Sequence, residues 1–221
     1  MPLNTKTLSY ALVASVATGI CASQSGTANT KLTLNGSLVT SGVATLDSGG
    51  AARRVIVTSA GDDSSHTFSI VGTDRYGRSQ TEVLTGATAG NTAQSKKDFK
   101  TVTSITPSAN TTSTITAGTN GVGSSAPMIC DWVPNGNSMG CATSVSGTVN
   151  YTIEEARDDL SPGWDLTINT PTWFADPTFN ALAIGAAGNL PGPFTMVRLT
   201  INSGTGTPTA KIITPFIGGS I

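Results

Sequence analysis

From Leu32 to Thr106, short runs of apolar and β-branched residues are broken every few positions by Gly, Asp or Asn. No run is long enough for the 3.6-residue period of an amphipathic helix, while runs of four to eight residues with period-2 alternation suit strands. Val55-Ile56-Val57-Thr58 reads as a strand in a core. Thr67–Thr73 alternates with Phe68 and Ile70 inward. Asp74-Arg75-Tyr76-Gly77 is a hairpin turn, and Ser79–Leu84 is the return strand. Phe99–Ile105 alternates strictly and Pro107 ends it. Leu32–Leu46 reads as two short strands around Asn35-Gly36, because both residues of an Asn-Gly pair tolerate positive φ, or as a strand and a loose turn. Repeated short strands with turn signals between them define an antiparallel β-sandwich.

The same grammar covers the rest of the chain, and the fold class is all-β. It comprises two antiparallel β-sandwich units, Ig-like or jelly-roll-like, with an ordered N-terminal arm. The arm is 1–31, the first unit 32–118, a Gly/Ser-rich linker 119–125, and the second unit 126–221. In the arm, Leu8–Val16 suits a strand or a short alanine-rich helix. The stretch Lys6 to Ser23 mimics a secretory signal, but Ser9, Tyr10, Ser15, Thr18 and Gly19 dilute its apolar core, and it reads as part of the mature protein. In the second unit, strands are expected at Ile129–Val133, Cys141–Ile153, Phe194–Ile201 and Thr209–Ile217. The charged stretch Glu154–Leu160 is expected as a solvated loop or a single helical turn.

Charge narrows the function. Lys plus Arg is 12 and Asp plus Glu is 13, with Arg53-Arg54 and Lys96-Lys97 the only basic pairs. Phosphate binding needs a clustered basic surface, so no nucleic-acid partner is expected. Charged residues are 11% of the chain, well below the roughly quarter of an average soluble domain. Such a surface offers little like-charge repulsion and suits a protein that meets other protein surfaces. No stretch is long and apolar enough for a membrane helix, and no membrane partner is expected.

Chemistry is sparse. Three cysteines, Cys21, Cys130 and Cys141, exclude a fully paired framework. Cys130 and Cys141 either pair across a short loop or stay as two partly buried thiols. One His and no Cys-x-x-Cys argue against zinc. Asp62, Asp63 and Asp74 fit turn chemistry better than a calcium ladder. His66 is the only histidine, and no nucleophile elbow, phosphate loop or zincin helix is present. A glycosidase pair would have to come from Glu154 or Glu155 with Asp158, Asp159 or Asp176, residues close in sequence on an expected loop. The expectation is a non-enzyme with no cofactor, no metal and no catalytic residues. The candidate contact residues are the aromatics Trp132, Trp164, Trp173 and Phe174, which either anchor an interface, stack on sugar rings, or cap the sheet ends.

The runs Leu34–Val39, Arg53–Ser64, Phe68–Asp74 and Phe99–Ile105 resemble virion structural proteins of tailed bacteriophages, as do Val149–Glu154, Thr172-Trp173-Phe174 and Val197–Thr207. The resemblance spans most of both units and rests on turn-and-strand patterns. It implies a virion location after synthesis in the host cytoplasm, symmetric homo-oligomers, and partners among tail, portal-proximal or capsid proteins. Tandem units favour a tail or neck accessory such as a fibre, collar or anchor; a head decoration protein is the alternative placement. The rival from another class is a carbohydrate-binding module for host recognition, built on the three tryptophans.

Overall fold

The computed structural model describes residues 4–9, 15–46, 52–130, 139–158, 171–204 and 206–214. Among these, all regular elements are strands, paired antiparallel into several sheets, so the fold is all-β. The chain divides into two compact units, one of Val13–Ser124 and one of Met1–Leu12 with Ser125–Ile221.

The first strand, β1 (Asn4–Ser9), belongs to the second of these units. The Val13–Ser124 unit then carries β2 (Cys21–Ser25), β3 (Val39–Thr40), β4 (Val43–Thr45), β5 (Ala52–Ser59), β6 (Thr67–Thr73), β7 (Ser79–Thr85), β8 (Thr92–Phe99), β9 (Thr101–Pro107) and β10 (Thr114–Ser124). One set of strands runs β2-β10-β5-β8. Another runs β3-β4-β9-β6-β7. Phe68 and Ile70 are fully buried, as their alternation required, and join Val55, Val57, Phe99, Val102, Ile105 and Ile115 in one core cluster fed by both sets. The hairpin at Asp74–Gly77 forms: Asp74 Oδ1 accepts from Tyr76 N at 2.8 Å and Arg78 N at 3.0 Å, and Gly77 takes φ +82°.

Three expectations are corrected in this unit. The tight hairpin of the Leu32–Leu46 stretch turns at Ser41-Gly42, where φ is +52° and +79°, rather than at Asn35-Gly36. Asn35 Oδ1 instead accepts from Ala22 N at 2.8 Å, and Gly36 lies so close to Gly19 that a Cβ there would stand 2.2 Å from its carbonyl. Phe99–Ile105 is two strands: Phe99 closes β8 opposite Arg53, and β9 begins at Thr101 opposite Thr73. Residues 119–124, expected in the linker, continue β10: after a register shift beyond Thr119, its pairing with β5 resumes at Gly123↔Arg53 and Ser124↔Ala52.

The discontinuous unit adds β11 (Met128–Ile129), β12 (Met139–Ser146), β13 (Val149–Ala156), β14 (Trp173–Ala175), β15 (Ala187–Leu190), β16 (Met196–Gly204) and β17 (Thr207–Thr214). A four-stranded sheet has the order β1-β17-β12-β15. A second set pairs β14 with β13, and β13 and β11 with β16. Tyr151, Ile153, Phe179, Leu190, Met196, Leu199, Ile201 and Ile212 are fully buried. The expected N-terminal arm is therefore, over Asn4–Ser9, an edge strand: six consecutive residues pair with β17, from Asn4↔Thr214 to Ser9↔Thr209. The expected loop at Glu154–Leu160 begins instead as strand. Glu154 and Glu155 lie within β13, because Arg198 on one face and Asp176 on the other receive their carboxyl groups.

Candidate interaction surfaces and a buried acid pair

Of the aromatic candidates, Trp132 and Trp164 lie outside the described residues. Trp173 and Phe174 are neighbours on β14, which forms one edge of its sheet. Successive strand residues point to opposite faces, so they do not act as one platform. Trp173 is half-buried, and the Arg198 guanidinium lies 4.3 Å from its ring centroid. Arg198 Nε is 2.6 Å from Glu154 Oε2, which also accepts from Thr200 Oγ1 at 2.5 Å. The row continues with Asn202 Nδ2 donating to Asn150 Oδ1 at 2.8 Å and Thr152 Oγ1 at 2.9 Å. These polar groups are engaged with one another. Phe174, on the other face, is 55% exposed.

No disulfide joins Cys130 and Cys141, so of their two readings the paired one does not hold: both, like Cys21, are buried thiols. Burial pushes Cys21 up to about 11, and burial together with the nearby charge of Asp176 pushes Cys141 up to about 12. Neither is a thiolate nucleophile at neutral pH.

Asp62 and Asp63 serve their turn. Asp62 Oδ1 accepts from the Ser64 amide at 3.0 Å and its hydroxyl at 2.7 Å. Asp63 is fully buried and accepts from Thr112 N at 2.8 Å, Thr112 Oγ1 at 3.1 Å and His66 Nδ1 at 3.1 Å. Burial alone would raise the Asp63 carboxyl, but these bonds and the Ser59 hydroxyl outweigh it and hold the group below its usual range.

Sequence reasoning missed the groove where β7 and β8 come together. Each is the last strand of its sheet order. Between them lies an open groove of about 520 Å³ lined by Glu82, Val83, Leu84, Ala93, Lys96 and Lys97. The two edges are stitched by side chains. Glu82 takes the Lys96 amide at 2.6 Å and the Lys97 amide at 2.8 Å; Lys97 Nζ reaches Thr81 O at 2.8 Å; Gln80 Nε2 reaches Asp98 O at 2.9 Å. The β5–β8 register slips between Arg54 and Ile56, and Ser95 Oγ fills the gap by accepting from Val55 N at 2.9 Å. Such a bulge with lysines blunts an edge. Beyond the stitches, Val83 is 63% exposed beside the groove. Thr92–Phe99 is polar and carries no strict alternation, which is why its sequence gave no strand signal. Its one readable cue was the Lys96-Lys97 pair, an edge-strand feature.

One carboxylate pair does form. Glu155 of β13 and Asp176, just beyond β14, are 4% and 1% exposed. The two carboxyl groups lie near enough for Asp176 to act on the proton of Glu155. Glu155 Oε1 and Asp176 Oδ2 are both buried with no hydrogen-bond partner among the described residues. Burial first, then the hydrogen bond and charge of Asp176, push Glu155 up to about 7, with Arg157 acting in the opposite sense. Two carboxyl groups this close share one proton rather than carry two charges. A glycosidase pair instead stands about 5 Å or more apart across an open cleft, and burial leaves this pair no route for a sugar.

No protein-family model matches the chain, and no curated protein is similar to it. The geometry therefore stands alone as the guide to function.

Proposed function

We propose that the chain is a non-enzymatic structural protein of a tailed-bacteriophage virion, built of two β-sandwich units and working as a symmetric homo-oligomer. The observation that carries this reading is the β7–β8 groove: two sheet edges stitched by side chains along half their length, with exposed Val83 where the stitching stops. Edges left in this state accept a neighbouring strand or an apolar side chain. The low charge of the surface supports the same reading, since closely packed copies avoid burying unpaired ions.

Within the particle, a tail or neck accessory is the favoured placement and a head decoration protein the alternative; copy number separates them. Trp173 gives the glycan-binding alternative little support, because Arg198 already occupies one face of the ring on which a sugar would stack.

The test is native mass spectrometry of the purified chain. A mass at a small integral multiple of 22.3 kDa, reduced to a single chain by Val83→Lys, supports the reading. A wild-type chain that stays monomeric at every concentration, or an oligomer indifferent to Val83→Lys, contradicts the role given to the groove.

A further inference from the structure

Among the described residues of the discontinuous unit, the Glu155–Asp176 pair is the one buried ionisable cluster that neither packing nor the proposed assembly explains. It sits at the start of a strap. Asp176 N donates to Ile153 O at 2.9 Å, and Ile153 N donates to Phe179 O at 2.9 Å. Further on, Tyr151 and Leu182 exchange both backbone bonds, at 2.9 and 2.8 Å. Residues 176–182 thus run along β13 and press the fully buried Phe179 into the core. Asp176 Oδ1 holds the head of the strap by accepting from Thr178 N at 2.8 Å and Phe179 N at 3.0 Å. That leaves Oδ2 buried without a hydrogen-bond partner, as is Glu155 Oε1.

We propose that this pair is a proton-operated latch: a shared proton fastens the strap to β13, and its loss sets two buried carboxylates against each other and loosens residues 176–182. Like charges in a low-dielectric site repel strongly. The surroundings offer little relief. Arg157, just past the end of β13, comes no nearer than 3.8 Å to Glu155 Oε2 and is largely exposed. From β12, Cys141 faces Asp176 as a neutral thiol. From β16, Val197 stands opposite Glu155, while Arg198 on the other face is held at Glu154. From β14, Phe174 stands opposite Glu155. The latch is independent of the virion reading.

Hydrogen exchange of the full chain, corrected for the intrinsic pH dependence, tests it at pH 5.5 and pH 8.5. The expected result is that the Thr178 and Phe179 amides lose roughly thirty-fold protection at the higher pH, as a group titrating near 7 requires. Glu155→Gln keeps the shape and removes the proton exchange, so its protection should no longer depend on pH. Asp176→Asn keeps the Oδ1 acceptor and removes the second charge, so it should shrink the pH dependence to the part that burial of Glu155 alone imposes, and it serves if the Gln variant does not fold. Equal wild-type protection at both pH values overturns the proposal, as does a pH dependence that survives in folded Glu155→Gln or stays undiminished in folded Asp176→Asn.

Discussion

At the scale of single residues, the buried acids Asp63 and Glu155 impose opposite pH dependences on the two units. Asp63 has its folded pKa depressed by the Thr112, Ser59 and His66 bonds that outweigh its burial. Its contribution is present above the unfolded value near 4 and is lost as pH falls through the folded value. Glu155 is raised to about 7. Its contribution is fully present below the unfolded value near 4, and it is lost as pH rises toward 7, with a slope of at most about 1.4 kcal/mol per pH unit. Denaturant midpoints measured from pH 3 to 9 should therefore show an acid limb removed by Asp63→Asn and a neutral limb removed by Glu155→Gln. Asp63→Ala also strands the Thr112 amide and hydroxyl, and should cost about 2–3 kcal/mol at pH 7. Circular-dichroism melts that place the Ala variant within about 0.5 kcal/mol of wild type would show that this carboxylate does not hold the turn.

At the scale of elements, sequence legibility follows from which forces fix each strand. β6 and the core-facing part of β5 were readable, because Phe68, Ile70, Val55 and Val57 meet one core and nothing local competes. β8 was not: its residues are set by a bulge, by Ser95 and by Glu82 from a distant strand. β10 ran on past its expected end because its glycines suit close approach to β5 as well as they suit a linker; a Cβ at Gly123 would stand 2.4 Å from Ala52 O. Asn35-Gly36 misled for a related reason, since Gly36 is needed for contact with Gly19 and not for the hairpin. Gly36→Ala should thus cost about 1–3 kcal/mol through a forced backbone shift, where a turn glycine in open space would cost less. Thermal melts of the two variants Gly36→Ala and Gly42→Ala read the contrast at the position of close approach. Of the site, Glu155 with Asp176 is one of several pairings the sequence allows, and nothing in it selects that pairing or its burial, because the two come together only once β14 is laid beside β13.

At the scale of the whole molecule, the order of the chain differs from the order of its units. The strand Asn4–Ser9 pairs with Thr209–Thr214, so the unit completed last in the sequence contains its beginning. Long-range closure of this kind is costly in loop entropy and slow to form. Deleting residues 1–9 should lower the stability of the Ser125–Ile221 unit by several kcal/mol and leave hydrogen-exchange protection in β5, β6 and β9 unchanged. Equal loss in both units would contradict the division. An account of a low-charge, all-β chain with a partly stitched edge rests finally on whether it is a particle component. The most direct measurement is quantitative mass spectrometry of purified particles of the phage proposed as the source of the chain, scaled to the major capsid protein. The account predicts that the chain is present at about 3, 6 or 12 copies, the small numbers that ring symmetry at a tail or neck allows. A count near the number of capsomers would keep the structural role and move it to the head surface, whereas absence from the particle would contradict the account.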